Sequence, residues 1–399
     1  MRRFTIWIII LLLSLVSLGN DKWIEVSDRT LVHAVGIDND DSGCTVTLQI
    51  FKSDGAGSDT QIDPSQTNTR VISNTADTFN EAMSLCENQL GNYLFIGHNQ
   101  AIVLGRNTDL SDIEELLSYF IRNKNNFLGV NVVLAENTAK EILNVQIPTG
   151  TITMENFTEI LKMYHSKGSA VPSTMVKVIN DSKNLDKALT LPVVSIKEEQ
   201  NSSSQGSEGQ QSSEQQSGSE SNSGSSGGGQ SSGQSNEASL ISIDKNAVIK
   251  NGKIVYEMDP VQTQCANFIN NYTEYGMITV DFNDNPIGVM LKKQKYKSSI
   301  SLKDNKIYYN VDISLLGITE NSNFSHEDKD KIAAEIEKKF KKQCEDTFNT
   351  VFFEYDSDVF DLSRLIRHHY PKLYLDYCNN FEVLKYNTVF NVNVKCIAK

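Results

Sequence analysis

From Glu198 to Glu237 the chain consists almost entirely of Ser, Gly, Gln, Asn and Glu. Such a tract has no apolar side chains to bury, so conformational entropy is expected to keep it disordered. A flexible chain of that length has an end-to-end distance of roughly 35 Å. Any fold must therefore be assembled from the stretches on either side. The strand-like LTLPVVSI before the tract and SLISI after it suit a loop inserted between strands and equally a linker between domains. At 399 residues the chain exceeds one ordinary domain. The expected division is a signal sequence at 1–19, a first domain at 20–197, the tract at 198–238 and a second domain at 239–399.

A hydrophobic fraction of 39% and a charged fraction of 22% support buried cores. Beyond Gly19 no apolar run approaches the ~20 residues of a membrane-spanning helix. The net charge of -13 argues against nucleic acid, whose phosphates call for clustered Lys and Arg. The same sign would repel anionic lipid headgroups. At the N-terminus Arg2 and Arg3 precede the apolar run Phe4 to Gly19, the order of an export signal. As a helix that run spans roughly 24 Å, short of a ~30 Å hydrocarbon core. The cysteines Cys44, Cys86, Cys265, Cys344, Cys378 and Cys396 are scattered without a C-x-x-C pair, so buried free thiols are expected.

Leu31 to Ile37 and Thr45 to Phe51 read as strands joined by the polar turn DNDDSG. Thr75 is expected to open a helix carrying Phe79, Ala82, Met83, Cys86 and Leu90 at helical spacing. Ala101 to Leu104 is a short buried strand. Ser111 with Glu114 forms a capping-box pair ahead of Ile113, Leu116, Leu117, Phe120 and Ile121. Val130 to Leu134 is a strand, and Thr138 starts a short helix. After the tract, Asn251-Gly252 between NAVIK and KIVYEM predicts a type I′ hairpin. A β-rich stretch runs from Ile278 to Leu316 with a turn at Asp304-Asn305. Ser325 and Asp328 cap a long helix over 325–352, with Ile332, Ile336, Phe340, Cys344 and Phe348 along one side. Ser357 to His369 is a shorter helix stopped by Pro371, and FNVNVK an edge or closing strand. The fold class is α+β and multidomain, with mixed or antiparallel sheets flanked by helices and a disordered insertion.

No constellation demands catalysis. Asp38-Asn39-Asp40-Asp41-Ser42-Gly43 imitates the start of a calcium loop, but its twelfth position is Gln49 and its flanks are strands. His368 and His369 point roughly 100° apart on a helix, poor geometry for one metal. Ser, His and Asp occur without a G-x-S-x-G elbow, an H-E-x-x-H pair or a Walker loop. His98, in the apolar setting FIGHNQAIVLG, reads as a hydrogen-bonded core residue. No catalytic, cofactor-binding or metal residue is expected, and no cofactor.

Several segments, in order, resemble the Ger(x)C family, the C subunits of nutrient germinant receptors in endospore-forming bacteria. The opening WIEVSD...HAVGID is similar to a family segment through Glu25, Asp28, Gly36, Ile37 and Asp38. FIGHNQAIVLG is similar to another through Phe95, Gly97, His98 and Gly105, and LSYFIRN through Phe120 and Arg122. Tyr370-Pro371-Lys372-Leu373 and the closing VNVKCIAK continue the resemblance. It implies a non-enzymatic exported lipoprotein on the outer face of the inner spore membrane. There it would assemble with the integral membrane A and B subunits, turning over no small-molecule substrate. Gly36, Asp38, Gly97 and His98 would then be structural. Asn20 occupies the position of the family's lipobox cysteine, and an amide cannot accept the diacylglyceryl group. The alternatives are an exported cell-wall hydrolase and a solute-binding protein, which would need a polar catalytic pocket or a ligand cleft respectively.

Overall fold

The protein, seen in a computed structural model, is described over residues 25–40, 43–51, 69–145, 153–184, 187–198, 239–319, 324–377 and 380–399. The N-terminal segment, Asn20 and Cys378 lie outside these residues.

The first sheet starts with β1 (Arg29–Asp40), β2 (Gly43–Phe51) and β3 (Thr69–Ala76), all antiparallel. There follow α1 (Phe79–Leu90), β4 (Tyr93–Phe95), β5 (Ala101–Leu104), α2 (Ile113–Arg122) and β6 (Asn131–Ala135). Next come α3 (Ala139–Asn144), α4 (Thr153–Ser166), α5 (Met175–Ser182) and β7 (Leu189–Glu198). Strands β1, β5, β6 and β7 run parallel, and the crossovers between parallel strands put helices on both faces. Ile102 and Leu104 join a core with Met83, Leu117 and Met175 on one side. Ala101 and Val103 join Ala139, Leu143 and Phe157 on the other. That two-sided burial is why AIVL shows no polar alternation.

β8 (Ser239–Lys250) pairs antiparallel with β7, Glu198 lying opposite Ser239. The Ser/Gly/Gln tract thus joins adjacent strands of one sheet, the inserted-loop arrangement of the two that composition left open. β9 (Lys253–Met258) extends the same sheet. The first sheet therefore continues beyond the division drawn at 198–238, because strand pairing closes across the tract. Asn251 and Gly252, between β8 and β9, have φ of 51° and 73°, the positive values a type I′ turn requires.

After α6 (Pro260–Ile269) come β10 (Tyr275–Phe282), β11 (Asn285–Lys303) and β12 (Lys306–Thr319). The chain ends with α7 (His326–Phe348), α8 (Leu362–His369), α9 (Pro371–Tyr377), α10 (Phe381–Asn387) and β13 (Thr388–Ala398). The second sheet has the order β10-β11-β12-β13, the closing strand lying parallel at its edge. The Ser325–Asp328 capping box forms as expected. Ile332, Ile336, Phe340, Cys344 and Phe348 are fully buried, in one core with Val289, Leu291 and Ile313 of the sheet. Burial of each large apolar side chain contributes about 1.5–3 kcal/mol, so this stripe fixes α7 on the sheet. The α-helix ends at Phe348 and continues as a π-helical turn, Asn349–Glu354. The architecture is α+β, two mixed sheets flanked by helices.

Four local expectations change. The helix expected from Ser357 begins at Leu362, because the Asp358 carboxylate takes up the amides of Phe360, Leu362 and Ser363 in a turn ahead of it. Thr75 belongs to β3, paired with Thr45 across an Oγ1 to Oγ1 distance of 2.7 Å, and Thr78 caps α1 instead. Alternation was hidden there because both faces of TRVISNTA carry polar residues, Arg70 and Asn74 beside buried Ile72 on one, and Thr69, Ser73 and Thr75 beside Val71 on the other. The cap of α2 is Asp112, which accepts from the Glu115 amide at 3.0 Å, one residue beyond the Ser111/Glu114 pair. His98 is exposed. The short 3-10 turn Ile96–His98 sends Ile96 inward and leaves the imidazole outside, 5.9 Å edge-on from the ring of Phe95. The thiols of Cys44, Cys86, Cys265, Cys344 and Cys396 are free and buried.

Candidate functional site: a strand corner and a polar seam

Two constellations of polar residues organise the molecule. The first lies where β1 ends. The Asp38 carboxylate accepts from the amides of Ala139 at 2.7 Å and Lys140 at 3.1 Å, the first amides of α3. Helix N-termini leave such amides unpaired and attract negative charge. Thr138 adds its own cap to Glu141 at 3.2 Å. Burial pushes the Asp38 carboxyl upward, and these backbone bonds act in the opposite direction.

Two glycines let the corner close. A Cβ on Gly36 would lie 2.9 Å from Leu143 Cδ1 and 3.0 Å from Ala139 Cβ, so α3 packs directly on the strand. A Cβ on Gly105 would lie 2.0 Å from Asp38 Oδ1. The Gly105 amide and the Thr108 hydroxyl both donate to the Ile37 carbonyl, at 2.7 and 3.0 Å. Gly36 and Asp38 are therefore brought together in one corner. Gly97 and His98 sit apart from it, where a Cβ on Gly97 would lie 2.5 Å from the Phe95 ring and 2.9 Å from the Asn125 carbonyl oxygen.

The second constellation is a seam between the two sheet bodies, and none of its members was singled out from sequence. The Lys187 ammonium lies 2.8 Å from Asp181 Oδ1 and 2.5 Å from Asp361 Oδ1, with its side chain only 6% exposed. Lys177 also pairs with Asp181, and its ammonium sits 5.3 Å over the Tyr272 ring. The Tyr272 hydroxyl donates to Asp361 Oδ2 at 2.8 Å, and Arg364 reaches the same oxygen at 3.3 Å. Burial alone would raise the Asp361 carboxyl; the Lys187 charge and the donated bonds outweigh it and hold it below the usual carboxylate range. Asp361 sits at φ 55°, in the left-handed region.

Around this ionic centre, amide side chains take up loop backbone. Asn246, fully buried in β8, accepts from the Val171 amide at 3.0 Å and donates to the Ser169 carbonyl at 3.0 Å. Asn267 donates to the carbonyls of Gly168 and Ala170, both at 2.9 Å. Asn270 donates to the Val359 carbonyl at 2.8 Å. Asp358 accepts from the amides of Phe360, Leu362 and Ser363 at 3.0, 3.2 and 2.7 Å, building the turn that enters α8. Its carbonyl accepts the Ala188 amide at 3.0 Å, joining that turn to the start of β7. In both constellations each carboxylate is engaged by amides, hydroxyls or ammonium groups.

A cleft of about 400 Å³ opens beside the corner, lined among others by Asn39, Cys44, Asp77, Asp109, Asp112 and Tyr119. Among the described residues, no group of His, Cys, Asp and Glu is arranged to hold a metal ion. Among them, too, no helix is long and apolar enough to cross a membrane.

Two family models match the chain, one on each side of the Ser/Gly/Gln tract. Residues 22–196 match the family model described as the spore germination protein N-terminal domain. Residues 244–397 match the one described as spore germination B3/GerAC like, C-terminal. The chain belongs to the Ger(x)C spore germination family. The crystal structure of the GerBC protein is similar to this Ger(x)C chain with a TM-score of 0.55 and 16% sequence identity, covering 91% of this chain and 96% of that one. That likeness is one of fold. No curated protein matches the chain. In the Ger(x)C chain, Gly36, Ile37, Asp38 and Gly105, which carried the resemblance in sequence, meet at the corner, whereas Gly97 and His98 lie on a separate turn.

Proposed function

We propose that this Ger(x)C chain is a non-enzymatic accessory subunit of a membrane nutrient germinant receptor. It is required for spore germination through assembly with the integral membrane A and B subunits. It works exported, at the outer face of the inner spore membrane, and turns over no small-molecule substrate. The observation that carries this reading is the match of both germination-protein domains in chain order, 22–196 and 244–397. The GerBC-like fold over 91% of the chain supports it.

Deletion of the gene, followed by germination on defined nutrients and affinity capture of the tagged protein from spore membranes, tests the proposal. The expected result is failure to germinate on at least one nutrient mixture, with two integral membrane proteins captured. Normal germination together with no membrane partner would overturn it.

A further inference from the structure

The second sheet carries the α7 core on one face, and strand register defines what the other face presents. Met277 of β10 lies opposite Met290 of β11, and Met290 opposite Ile318 of β12. In the next row Leu316 lies opposite Ile397 of β13. Met277, Met290 and Ile397 are 53%, 38% and 69% exposed. Five apolar side chains thus form a continuous outward patch.

Lysines adjoin this patch in the same register. Lys292 is opposite Leu316, Lys295 is opposite Ser314, and Ser314 is opposite Lys395. Lys297 follows, opposite Asp312. No ion pair among the described residues involves Lys292, Lys295, Lys297 or Lys395. In a chain whose net charge is -13, these four cations outnumber the two carboxylates of the same face, Asp281 and Asp312, beside exposed methionine and isoleucine, with Lys292 5.6 Å over the Tyr275 ring.

We infer that this face docks on an anionic lipid bilayer. The lysine ammonium groups meet headgroup phosphates, and Met277, Met290 and Ile397 enter the boundary between headgroups and acyl chains. An apolar surface bordered by lysine is the composition of an interfacial membrane site, and lysine stems can lie along apolar surface while their charges stay in water. Protein-protein interfaces favour arginine, methionine and aromatic residues but are depleted in lysine, and it is the four lysines that set this face apart from one. A two-fold pairing of this face with a second copy would bring like-charged lysine rows together. The acidity of the rest of the chain does not oppose docking, since at physiological salt charges beyond about 8 Å are largely screened. The inference stands on the sheet alone and does not depend on the receptor assignment.

The test is binding of the full chain to vesicles of phosphatidylcholine with and without phosphatidylglycerol, followed by flotation. The apolar N-terminal segment is present in every variant, so the reading is the phosphatidylglycerol-dependent part of binding. The wild type is expected to bind the anionic vesicles better, and less so as salt rises. The triple variant K292E/K295E/K395E should lose that gain by about a hundredfold or more, at about fivefold per lysine. M290S/I397S should weaken binding at every salt concentration, and all variants should keep the wild-type melting temperature. Equal binding to both vesicles would overturn the inference, as would wild-type affinity in the lysine variant. So would a dimer in solution dissolved by M290S/I397S, which would assign the face to a second copy. Unchanged vesicle binding with loss of a captured acidic protein in the lysine variant would assign it to a protein partner and equally refute lipid docking.

Discussion

Replacing Lys187 by Met removes the ammonium that Asp181 and Asp361 share at 2.8 and 2.5 Å. The side chain is 6% exposed and the two carboxylates 11% and 9%, so water cannot replace the lost partner without opening the seam. Removing one member of a buried pair costs about 3–5 kcal/mol. Asp181 retains Lys177, and Asp361 retains the Tyr272 hydroxyl and Arg364, which puts the expected loss near the lower end, about 3 kcal/mol. Chemical unfolding of the full chain followed by tyrosine fluorescence reads it as a lower midpoint. Because the lost contacts join the sheet bodies, the transition should also broaden or split. In the double variant Lys187→Met with Asp361→Asn the cost should be less than additive by about 1 kcal/mol or more, as for residues in direct contact. A midpoint within about 0.5 kcal/mol of wild type, the usual range for uncoupled surface changes, would refute a seam held by this charge. The pH dependence has a definite sign. The Asp361 carboxyl lies below its ordinary value, so its contribution is present above the unfolded carboxylate range. It is lost as pH falls below about 4. Asp361→Asn should flatten the acid limb of the stability curve, and an unaltered limb would contradict the assignment.

Two further outcomes are expected. Asp38→Ala leaves the amides of Ala139 and Lys140 without their acceptor and should lower stability by about 1–3 kcal/mol; a thermal midpoint equal to wild type would show that α3 does not need this anchor. Replacing residues 199–238 by Asn-Gly keeps Glu198 opposite Ser239 and makes a two-residue hairpin of the type I′ class. Loop-closure entropy predicts a gain of about 2–3 kcal/mol with germination nearly intact. A lower unfolding midpoint, or complete loss of germination at normal protein level, would count against an inert tract.

Legibility from sequence followed the range of the interactions. The stripe from Ile332 to Phe348 and the turns Asn251-Gly252 and Asp304-Asn305 are encoded within a few residues, and all are realised. The β7–β8 pairing was half legible: the strands could be read, but their partnership across the tract depends on register. β3 was missed because its partner β2 lies beyond a long connection and its own side chains are only partly buried. His98 misled because apolar neighbours in sequence say nothing about which side of a 3-10 turn faces outward. The corner was legible at Gly36 and Asp38 but not in purpose, since the amides that Asp38 accepts lie about a hundred residues away. The seam left no local signal. Lys187, Tyr272 and Asp361 become neighbours only when both sheets are in place, and an aspartate with φ of 55° looks like any other in a string of letters.

The polarity of the seam bears on what the molecule can transmit. Apolar burial is non-directional, so by itself it does not specify which backbone atoms of the two bodies meet. Hydrogen bonds are directional, and here they fix individual atoms across the seam: Asn267 holds the carbonyls of Gly168 and Ala170, and the Asp358 carbonyl holds the Ala188 amide. A rotation that broke them would strand buried amides at about 1–3 kcal/mol each, in addition to separating Lys187 from its carboxylates. The two sheets are thus set at one angle by many bonds at once. A surface that binds on the second sheet therefore determines how the corner of the first is presented, with no moving part required between them.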